Sequence, residues 1–207
     1  RQLLERLRAW PDEQHATPVL AMEVHGDERG KVRFAAQAQG VPALAWIVDV
    51  QALEQRLAEA LRYQPQVELL PAPTPAQLTV VCEGKSSATR GEFGVQFEAV
   101  AYGQRAIAAR LHCEKPHEQV ARQWFARGEI LAFLPLGDSG GGPAGNSVAA
   151  VWSVPEQRAG ALLPLDAKAF AAPPQAASPH ASVALQPEPQ PAARSLPRPA
   201  AALSRAP

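Results

Sequence analysis

The pattern of hydrophobic and polar residues near the start of the chain predicts a β-hairpin. Residues 19–25 and 31–35 read as two strands, and the glycines and charged residues of 26–30 read as the turn between them. In the returning strand Val32 and Phe34 alternate with basic residues, and a period of two is typical of a strand with one covered side. We therefore expect these two side chains to face the core.

Apolar residues three and four positions apart predict helices. Residues 1–10 carry leucines and a tryptophan at this spacing, and residues 50–63 carry leucines on one stripe with charged residues elsewhere. The second of these helices is the clearest in the chain. Shorter helices are predicted over residues 117–126, with Val120, Trp124 and Phe125 turned inward, and over residues 155–163 and 166–171.

The second half of the chain contains the most regular strand signals. Residues 129–136 and 147–154 are expected to form an antiparallel pair, joined by the loop 137–146. Further strands are predicted over residues 42–48, 67–70, 78–82 and 97–113.

Composition changes after residue 172 and divides the chain. Residues 173–207 contain nine of the 21 prolines, many alanines and few large apolar side chains. Such a segment cannot bury a core, so we expect a disordered Pro/Ala-rich tail. A natural linker and a frame-shifted end both account for it. Residues 1–172 are expected to form the folded domain.

Charge and cysteine content restrict the function classes. The formal net charge of the 207 residues is zero, which gives no sign of nucleic-acid binding. Cys82 and Cys113 lack metal-ligand spacing, so neither a disulfide scaffold nor a metal site is expected. No apolar run reaches membrane-spanning length and no signal peptide opens the chain. The chain starts at Arg1 in what reads as a helix, so we expect it to be part of a longer protein.

The stretch LTVVCEGKSSATR, residues 78–90, is the strongest candidate for chemistry. An apolar strand runs into an acidic-glycine turn at Glu83 and Gly84, and a serine and Arg90 follow. This order suggests a loop that faces a cofactor. The alternative is a plain turn, with Arg90 in a surface ion pair. Residues 137–145 also match two known glycine-rich motifs, and both interpretations are rejected. The serine loop of a trypsin-like protease needs a partner histidine in a matching sequence context, which this chain lacks. A dinucleotide-binding loop needs a helix directly after it, and here a strand is predicted instead.

The candidate stretch resembles the second fingerprint of class A flavoprotein monooxygenases, roughly Gly-Ala-Asp-Gly-x-x-Ser-x-x-Arg at a strand end. Glu83 stands where the family has Asp, followed by Gly84, Ser87 and Arg90. The flanks are similar to the ubiquinone-biosynthesis hydroxylases of that family. The stretches that carry this similarity are residues 1–10, 41–61, 102–138 and 147–155, so the resemblance covers roughly 1–172 in consistent order.

The resemblance implies an α+β (α/β) fold, a mostly antiparallel mixed sheet backed by helices, as in the substrate-binding part of a p-hydroxybenzoate-hydroxylase-like FAD/NAD(P)-binding fold. It implies FAD and NAD(P)H as cofactors and hydroxylation of an aromatic ring with a lipid tail, using dioxygen. It also implies a cytoplasmic protein, peripheral to the inner membrane, that works with other ubiquinone-biosynthesis proteins and binds no nucleic acid.

By the same resemblance, Glu83, Gly84 and Arg90 are expected to contact the cofactors, and Gln51 is a weaker candidate for a flavin contact. Gly84 would permit close backbone approach and Arg90 would supply positive charge. No catalytic residue is assigned. Apolar residues on one face of the strand pair are expected either to floor a substrate pocket or to be ordinary sheet core. They are Ile130, Ala132, Leu134, Ala149 and Val151.

The first and third fingerprints of the family do not occur in these 207 residues. We therefore expect this chain alone to bind FAD poorly and to be inactive. Three functions stay open from the sequence: part of a ubiquinone-pathway monooxygenase, part of a flavin hydroxylase with another aromatic substrate, and a non-catalytic binding module derived from the same fold.

Overall fold

The fold was determined as a computed structural model, which describes residues 1–27, 30–84, 87–95, 101–137, 145–162 and 186–187. The helices are α1 Gln2–Arg6, α2 Val50–Arg62, α3 Ala88–Glu92 and α4 Glu156–Leu162. The strands are β1 Ala16–Val19, β2 Ala21–His25, β3 Lys31–Ala35, β4 Ala45–Val48, β5 Gln104–His112, β6 Val120–Ala126, β7 Glu129–Pro135, β8 Ser147–Pro155 and β9 Gln186–Pro187.

One seven-stranded sheet organises the described residues. Its strand order is β3-β2-β6-β7-β8-β5-β9, and every neighbouring pair is antiparallel except β2 and β6, which are parallel. Strands β1 and β4 form a separate antiparallel pair. The predicted α+β fold with a mostly antiparallel mixed sheet is therefore confirmed.

The two faces of the large sheet differ in how they are covered. One face, here called the packed face, carries the core, including Leu131, Phe133 and Trp152, and α4 adds Ala159 and Leu162 to it. The register places alternate residues on the opposite side, here called the open face. Its half-buried central residues are Ile130, Ala132, Leu134, Ala149 and Val151.

This division bears on the two readings of those five residues, and the reading as the floor of a substrate pocket stays a prediction. The core of the sheet lies on the packed face, so the interpretation of the five as ordinary sheet core is wrong. A period of two shows only that the two faces of a strand differ, since side chains alternate between them. Contacts distant in sequence decide which face is covered.

Several predicted elements are present with small changes of boundary. The hairpin β2–β3, the antiparallel pair β7–β8, and helices α2 and α4 are all confirmed. The strand predicted over 42–48 is shorter in the structure and corresponds to β4. The strand predicted over 97–113 corresponds, within the described residues, to the shorter β5. Predictions over 96–100, 138–144 and 163–171 lie outside the described residues. So does the predicted disordered tail, apart from the two residues of β9, which pair with β5.

The prediction that Val32 and Phe34 face the core is wrong. Their side chains are 53% and 48% exposed. They lie opposite Val24 and Met22 in the hairpin register, which puts them on the open face, and β3 is the last strand on its side of the sheet. An edge strand has a neighbour on one side only, so its side chains lose less contact with water.

The helix predicted over residues 117–126 is also wrong, since residues 120–126 form β6. This strand pairs with β2 on one side and β7 on the other. Val120 and Trp124 are buried as predicted, but Phe125 is 39% exposed because it points to the open face. Hydrogen bonds to two neighbouring strands outweigh a weak helical preference, as tertiary context commonly does.

The first predicted helix ends early. α1 stops at Arg6, and Arg8 adopts a left-handed backbone with φ of 56°, which an α-helix does not contain. Trp10 instead makes an edge contact with Trp46 of β4, with ring centroids 6.2 Å apart. Trp10 therefore lies beyond the end of α1, beside β4.

No strand forms over residues 67–70 or 78–82, so both predictions are wrong. Leu78 and Val80 are 75% and 65% exposed. An apolar run becomes a strand only where another strand hydrogen-bonds to it, and none of the described residues does so here. In α2 the leucine stripe is likewise only half covered, with Leu61 40% exposed.

Candidate functional site

The predicted cofactor loop is a self-contained hydrogen-bonded turn. The Glu83 carboxylate accepts hydrogen bonds from the Ser87 hydroxyl at 2.7 Å, from the Thr89 hydroxyl, and from the Thr89 backbone N–H at 3.4 Å. Ser87 caps α3 by accepting a hydrogen bond from the Arg90 N–H at 3.1 Å. Ser87 and Thr89 thus hold the carboxylate over the first turn of α3. A negative charge is favourable there because it interacts with the positive end of the helix dipole.

This turn lowers the pKa of Glu83 below its ordinary value. The hydrogen bond from Thr89 contributes most, followed by that from Ser87, and Arg90 adds a favourable charge. Gly84 adopts φ of +76°, and a Cβ there would meet no atom of the described residues within 4 Å. Gly84 is therefore demanded by backbone conformation, and its open side leaves room for a bound group to approach the backbone.

Gln51 lies at the start of α2, where Asp49 is the capping residue. The Asp49 Oδ1 atom accepts hydrogen bonds from the backbone N–H of Gln51 at 2.9 Å and of Ala52 at 3.3 Å. Its Oδ2 atom accepts one from the Arg110 guanidinium at 2.7 Å. Asp49 was missed from the sequence, although an aspartate directly before a helical stripe is a recognisable capping signal.

The pKa of Asp49 is lowered as a net result of opposing causes. Burial raises it and is the largest single influence, but the Arg110 hydrogen bond and the two N–H groups of α2 together outweigh burial. Asp49 therefore stays ionised and ties the first turn of α2 to β5.

A small recess surrounds this ion pair. It is bordered by Gln14, His15, Thr17, Ile47, Leu136 and Gly137 together with the two charged residues. A Cβ on Gly137 would collide with the carbonyl oxygen of Gln14, so this position requires glycine for close approach of two backbones. The first glycine of the glycine-rich stretch is thus structural.

The open face is an apolar floor with the ion pair at one end. The register aligns Arg110, Ala149 and Leu134 in one row across β5, β8 and β7, and the next row contains Ala108, Val151 and Ala132. Phe125 extends the floor towards β6, opposite Ile130. Such a surface suits a flat apolar ligand, because the floor offers dispersion contacts and few hydrogen-bonding groups.

The four predicted site residues are therefore arranged in two places. Asp49 and Arg110 connect Gln51 to the open face, whereas Glu83 bonds locally to Ser87 and Thr89. Gly84 is exposed and Arg90 lies in α3, and the role of these residues as cofactor contacts stays a prediction. Among the described residues, no three His, Cys, Asp or Glu side chains cluster as metal ligands, and no helix could span a membrane.

Known proteins resemble this chain in sequence and in structure. No protein-family model matches the chain. The mitochondrial ubiquinone biosynthesis monooxygenase COQ6 of Danio rerio is 34% identical over 95 residues, which are 45% of this chain and 18% of that protein. The probable FAD-dependent monooxygenase PqsL from Pseudomonas aeruginosa matches in structure, with a TM-score of 0.57 at 15% identity over 84% of this chain.

A structure of PqsL in complex with 2-aminobenzoylacetate matches with a TM-score of 0.61 at 16% identity, and covers 91% of this chain and 60% of that chain. The chain thus shares the fold of an FAD-dependent monooxygenase, and the resemblance to class A flavoprotein monooxygenases predicted from the sequence is confirmed. The matched part spans less than a fifth of COQ6 and three fifths or less of PqsL.

Proposed function

We propose that this chain is the substrate-binding part of an FAD-dependent monooxygenase that hydroxylates the ring of a prenylated phenol in ubiquinone biosynthesis. The similarity to COQ6 supports the choice of substrate class, and the likeness to PqsL supports the fold. The cofactors in this proposal are FAD and NAD(P)H, and reduced flavin with dioxygen supplies the oxygen atom.

The observation that carries the proposal is the open face of the sheet. Ala132, Leu134 and Val151 are half-buried and lie side by side on the face opposite the core, where they form an apolar surface. A phenol ring with an isoprenoid tail gains about 25 cal/mol for each Å² of apolar area that it buries on such a surface. The small side chains of Ala132 and Ala149 leave space for a ring to lie flat.

In this proposal the residues of the chain bind and orient. The apolar floor holds the ring and excludes water, which strengthens electrostatic interactions at the reacting atoms. Arg110 and Asp49 neutralise each other at the rim, so a neutral phenol meets no isolated charge. Glu83, Gly84, Arg90 and Gln51 stay the proposed cofactor contacts.

A second substrate class is supported by one specific observation. The matched PqsL structure is a complex with 2-aminobenzoylacetate, an aromatic acid without a lipid tail. Arg110 lies in the open-face row and could pair with such an acid if it left Asp49. A flavin hydroxylase of this kind, or a non-catalytic module that retains the binding face, are the alternatives to the main proposal.

The proposal also includes a location and partners. A lipid-tailed ring resides in a membrane, so the proposed enzyme works as a cytoplasmic protein at the surface of the inner membrane, beside other ubiquinone-biosynthesis proteins. Co-sedimentation of the chain with vesicles that contain 2-geranylphenol, compared with vesicles that lack it, tests this part separately.

Binding of 2-geranylphenol to the 207-residue chain tests the substrate class. We expect the geranyl tail to tighten binding at least about tenfold relative to phenol, because several CH₂ groups are buried. Ala132→Glu should weaken binding by at least about tenfold, since it places a carboxylate on the apolar floor. Ala58→Glu, at an exposed position of α2, is the matched control and should change nothing.

Equal binding of phenol and 2-geranylphenol would contradict the lipid-tailed substrate. Tighter binding of 2-aminobenzoylacetate, lost in Arg110→Gln, would favour the second substrate class. An unchanged affinity in Ala132→Glu would contradict the open face as the binding surface.

A further inference from the structure

A cavity of about 420 Å³ lies on the packed face, on the side of the sheet opposite the open face. It is formed by β2, β3 and β6 together with the segment of residues 113–118, and the cores of β7 and β8 close its inner end. Its volume is within the range of small-molecule sites. Because the sheet separates it from the open face, a ligand here would not touch the proposed substrate.

The charges that line the cavity are unequal. The Glu23 carboxylate, in a residue only 7% exposed, lies 3.3 Å from the Lys31 ammonium, 2.5 Å from the Arg33 guanidinium and 3.4 Å from the Arg122 guanidinium. His25 lies 4.0 Å from the same carboxylate. Lys31 and Arg122 line the cavity, whereas Arg33 pairs with Glu23 from outside the lining. One carboxylate cannot neutralise these three permanent cations, so the local charge is positive and favours an anion.

Glu118 and Lys115 also border the cavity and cancel each other in this count. The remaining excess therefore comes from the cations that surround Glu23. Such fixed positive charges in a recess with low-dielectric walls attract and orient an anionic group.

The inner wall of the cavity is aromatic. The Trp124 ring stacks on the His25 ring with centroids 5.5 Å apart and contacts Phe133 edge-on at 5.3 Å. The buried indole Nε1–H of Trp124 has no hydrogen-bond acceptor among the described residues. Val120 and Val148 complete the apolar lining. Rings prefer stacked or edge-on contact with such a wall.

The nucleophilic and basic groups in the wall are not poised for reaction. Burial raises the pKa of the Cys113 thiol to about 11, and the charge of Arg122 offsets this only in part. The imidazole of His117 accepts a hydrogen bond at Nδ1 from the Gln119 N–H, and its Nε2 lies 3.0 Å from the Leu136 carbonyl oxygen. These groups support the wall, so the cavity is suited to binding and not to covalent chemistry.

We propose that this cavity is a second ligand site, which binds a small aromatic carboxylate. The carboxylate lies against Lys31 and Arg122, and the ring lies beside Trp124 and Phe133. The site is separate from the open face, and its ligand is neither turned over nor covalently held. It stands independently of the function proposed above.

Calorimetric titration with 2-naphthoate and with 2-naphthamide tests the site in the 207-residue chain. The two probes have the same shape and differ in charge. We expect 2-naphthoate to bind at least about tenfold more tightly, because a charge-assisted contact is available only to the acid. Equal affinities, or no detectable binding of the acid, would overturn the proposal.

Three variants locate the binding. Lys31→Gln and Arg122→Gln should each weaken 2-naphthoate binding and reduce its preference over the amide, and thermal melts confirm that each variant is folded. Glu23→Gln should strengthen 2-naphthoate binding, because it removes the competing carboxylate and leaves the cations free. This gain cannot arise from structural damage, so its absence would count against the proposed charge balance.

Arg105→Gln is the matched control for charge, because Arg105 is an exposed arginine that pairs with Glu156 away from the cavity. It should leave 2-naphthoate binding unchanged, and so should Ala132→Glu on the open face. Loss of 2-naphthoate binding in Ala132→Glu but not in Arg122→Gln would place the ligand on the open face and refute a second site.

Discussion

Arg110 and Asp49 are 61 positions apart in the sequence, and the Arg110 guanidinium donates a hydrogen bond of 2.7 Å to the Asp49 carboxylate. This contact joins the start of α2 to β5, the strand next to the β9 edge of the large sheet. It is also the charged end of the apolar open face. One ion pair therefore couples the helix that carries Gln51 to the surface proposed to hold the substrate.

Replacement of Asp49 should destabilise the chain. Asp49→Ala removes a helix cap and leaves Arg110 without this partner, so we expect the free energy of unfolding to fall by roughly 1–2 kcal/mol. Arg110→Gln should cost less, about 0.5–1 kcal/mol, because the pair is partly exposed and the cap survives. Urea denaturation measures both.

The double variant Asp49→Ala/Arg110→Gln completes this cycle. Its cost should be smaller than the sum of the two single costs, since the shared contact can be lost only once. Strict additivity would show that the pair contributes no coupling energy. Arg105→Gln, which breaks an exposed pair with Glu156, is the control and should cost less than about 0.5 kcal/mol.

Glu23 should make the chain sensitive to acid. Burial raises its pKa and is the largest influence, but Lys31, Arg33 and Arg122 together lower that pKa below the ordinary value of 4.5. The ionised form is therefore favoured in the folded state. Its stabilisation is present above the unfolded pKa and is lost as pH falls through the folded pKa.

Thermal melts of the wild type and of Glu23→Gln between pH 7 and pH 3 measure this contribution. The wild type should lose more stability than Glu23→Gln below about pH 4.5. Parallel pH profiles for the two proteins would contradict the assigned role of Glu23.

The two cysteines should react at very different rates. Cys82 is exposed, whereas Cys113 is buried and burial raises its pKa to about 11. At pH 8 a thiol-specific reagent should modify one thiol quickly and the second only after denaturant is added. Mass spectrometry of the modified peptides identifies each thiol, and fast labelling of Cys113 in the folded chain would contradict its burial.

Three glycines should respond differently to alanine. Gly84→Ala should cost about 1–2 kcal/mol, because its backbone has φ of +76°. Gly137→Ala should cost more, since its Cβ meets the Gln14 carbonyl oxygen. Gly160→Ala, at an exposed helical position in α4, should stabilise the chain by about 0.5–1 kcal/mol. Urea titrations measure the three unfolding free energies, and a different order of the three variants would contradict this prediction.

Local sequence patterns were sufficient to predict α2, the β2–β3 hairpin and the β7–β8 pair. The periodicity of each helix or strand lies within a few positions, and the strands of each pair follow one another along the chain. The resemblance to flavoprotein monooxygenases also came from contiguous segments. The Gly84 conformation was foreseeable in the same way, because an acidic-glycine turn favours a left-handed residue.

Tertiary structure decided what depends on distant neighbours. The run at 78–82 is apolar but pairs with no described strand, whereas residues 120–126 became a strand because β2 and β7 lie on either side. Alternation marked Val32 and Phe34 as one face of β3, yet residues on both faces of this strand are exposed, because β3 is the edge strand of the sheet.

The sequence by itself thus determined which segments are regular and which family they resemble, since local propensity and spacing are carried by neighbouring residues. Only the tertiary structure showed which sheet face is covered, that Asp49 meets Arg110, and that three cations gather around Glu23. The physical reason is that burial and ion pairing are set by groups that meet in space, and the order of residues along a chain does not record those meetings.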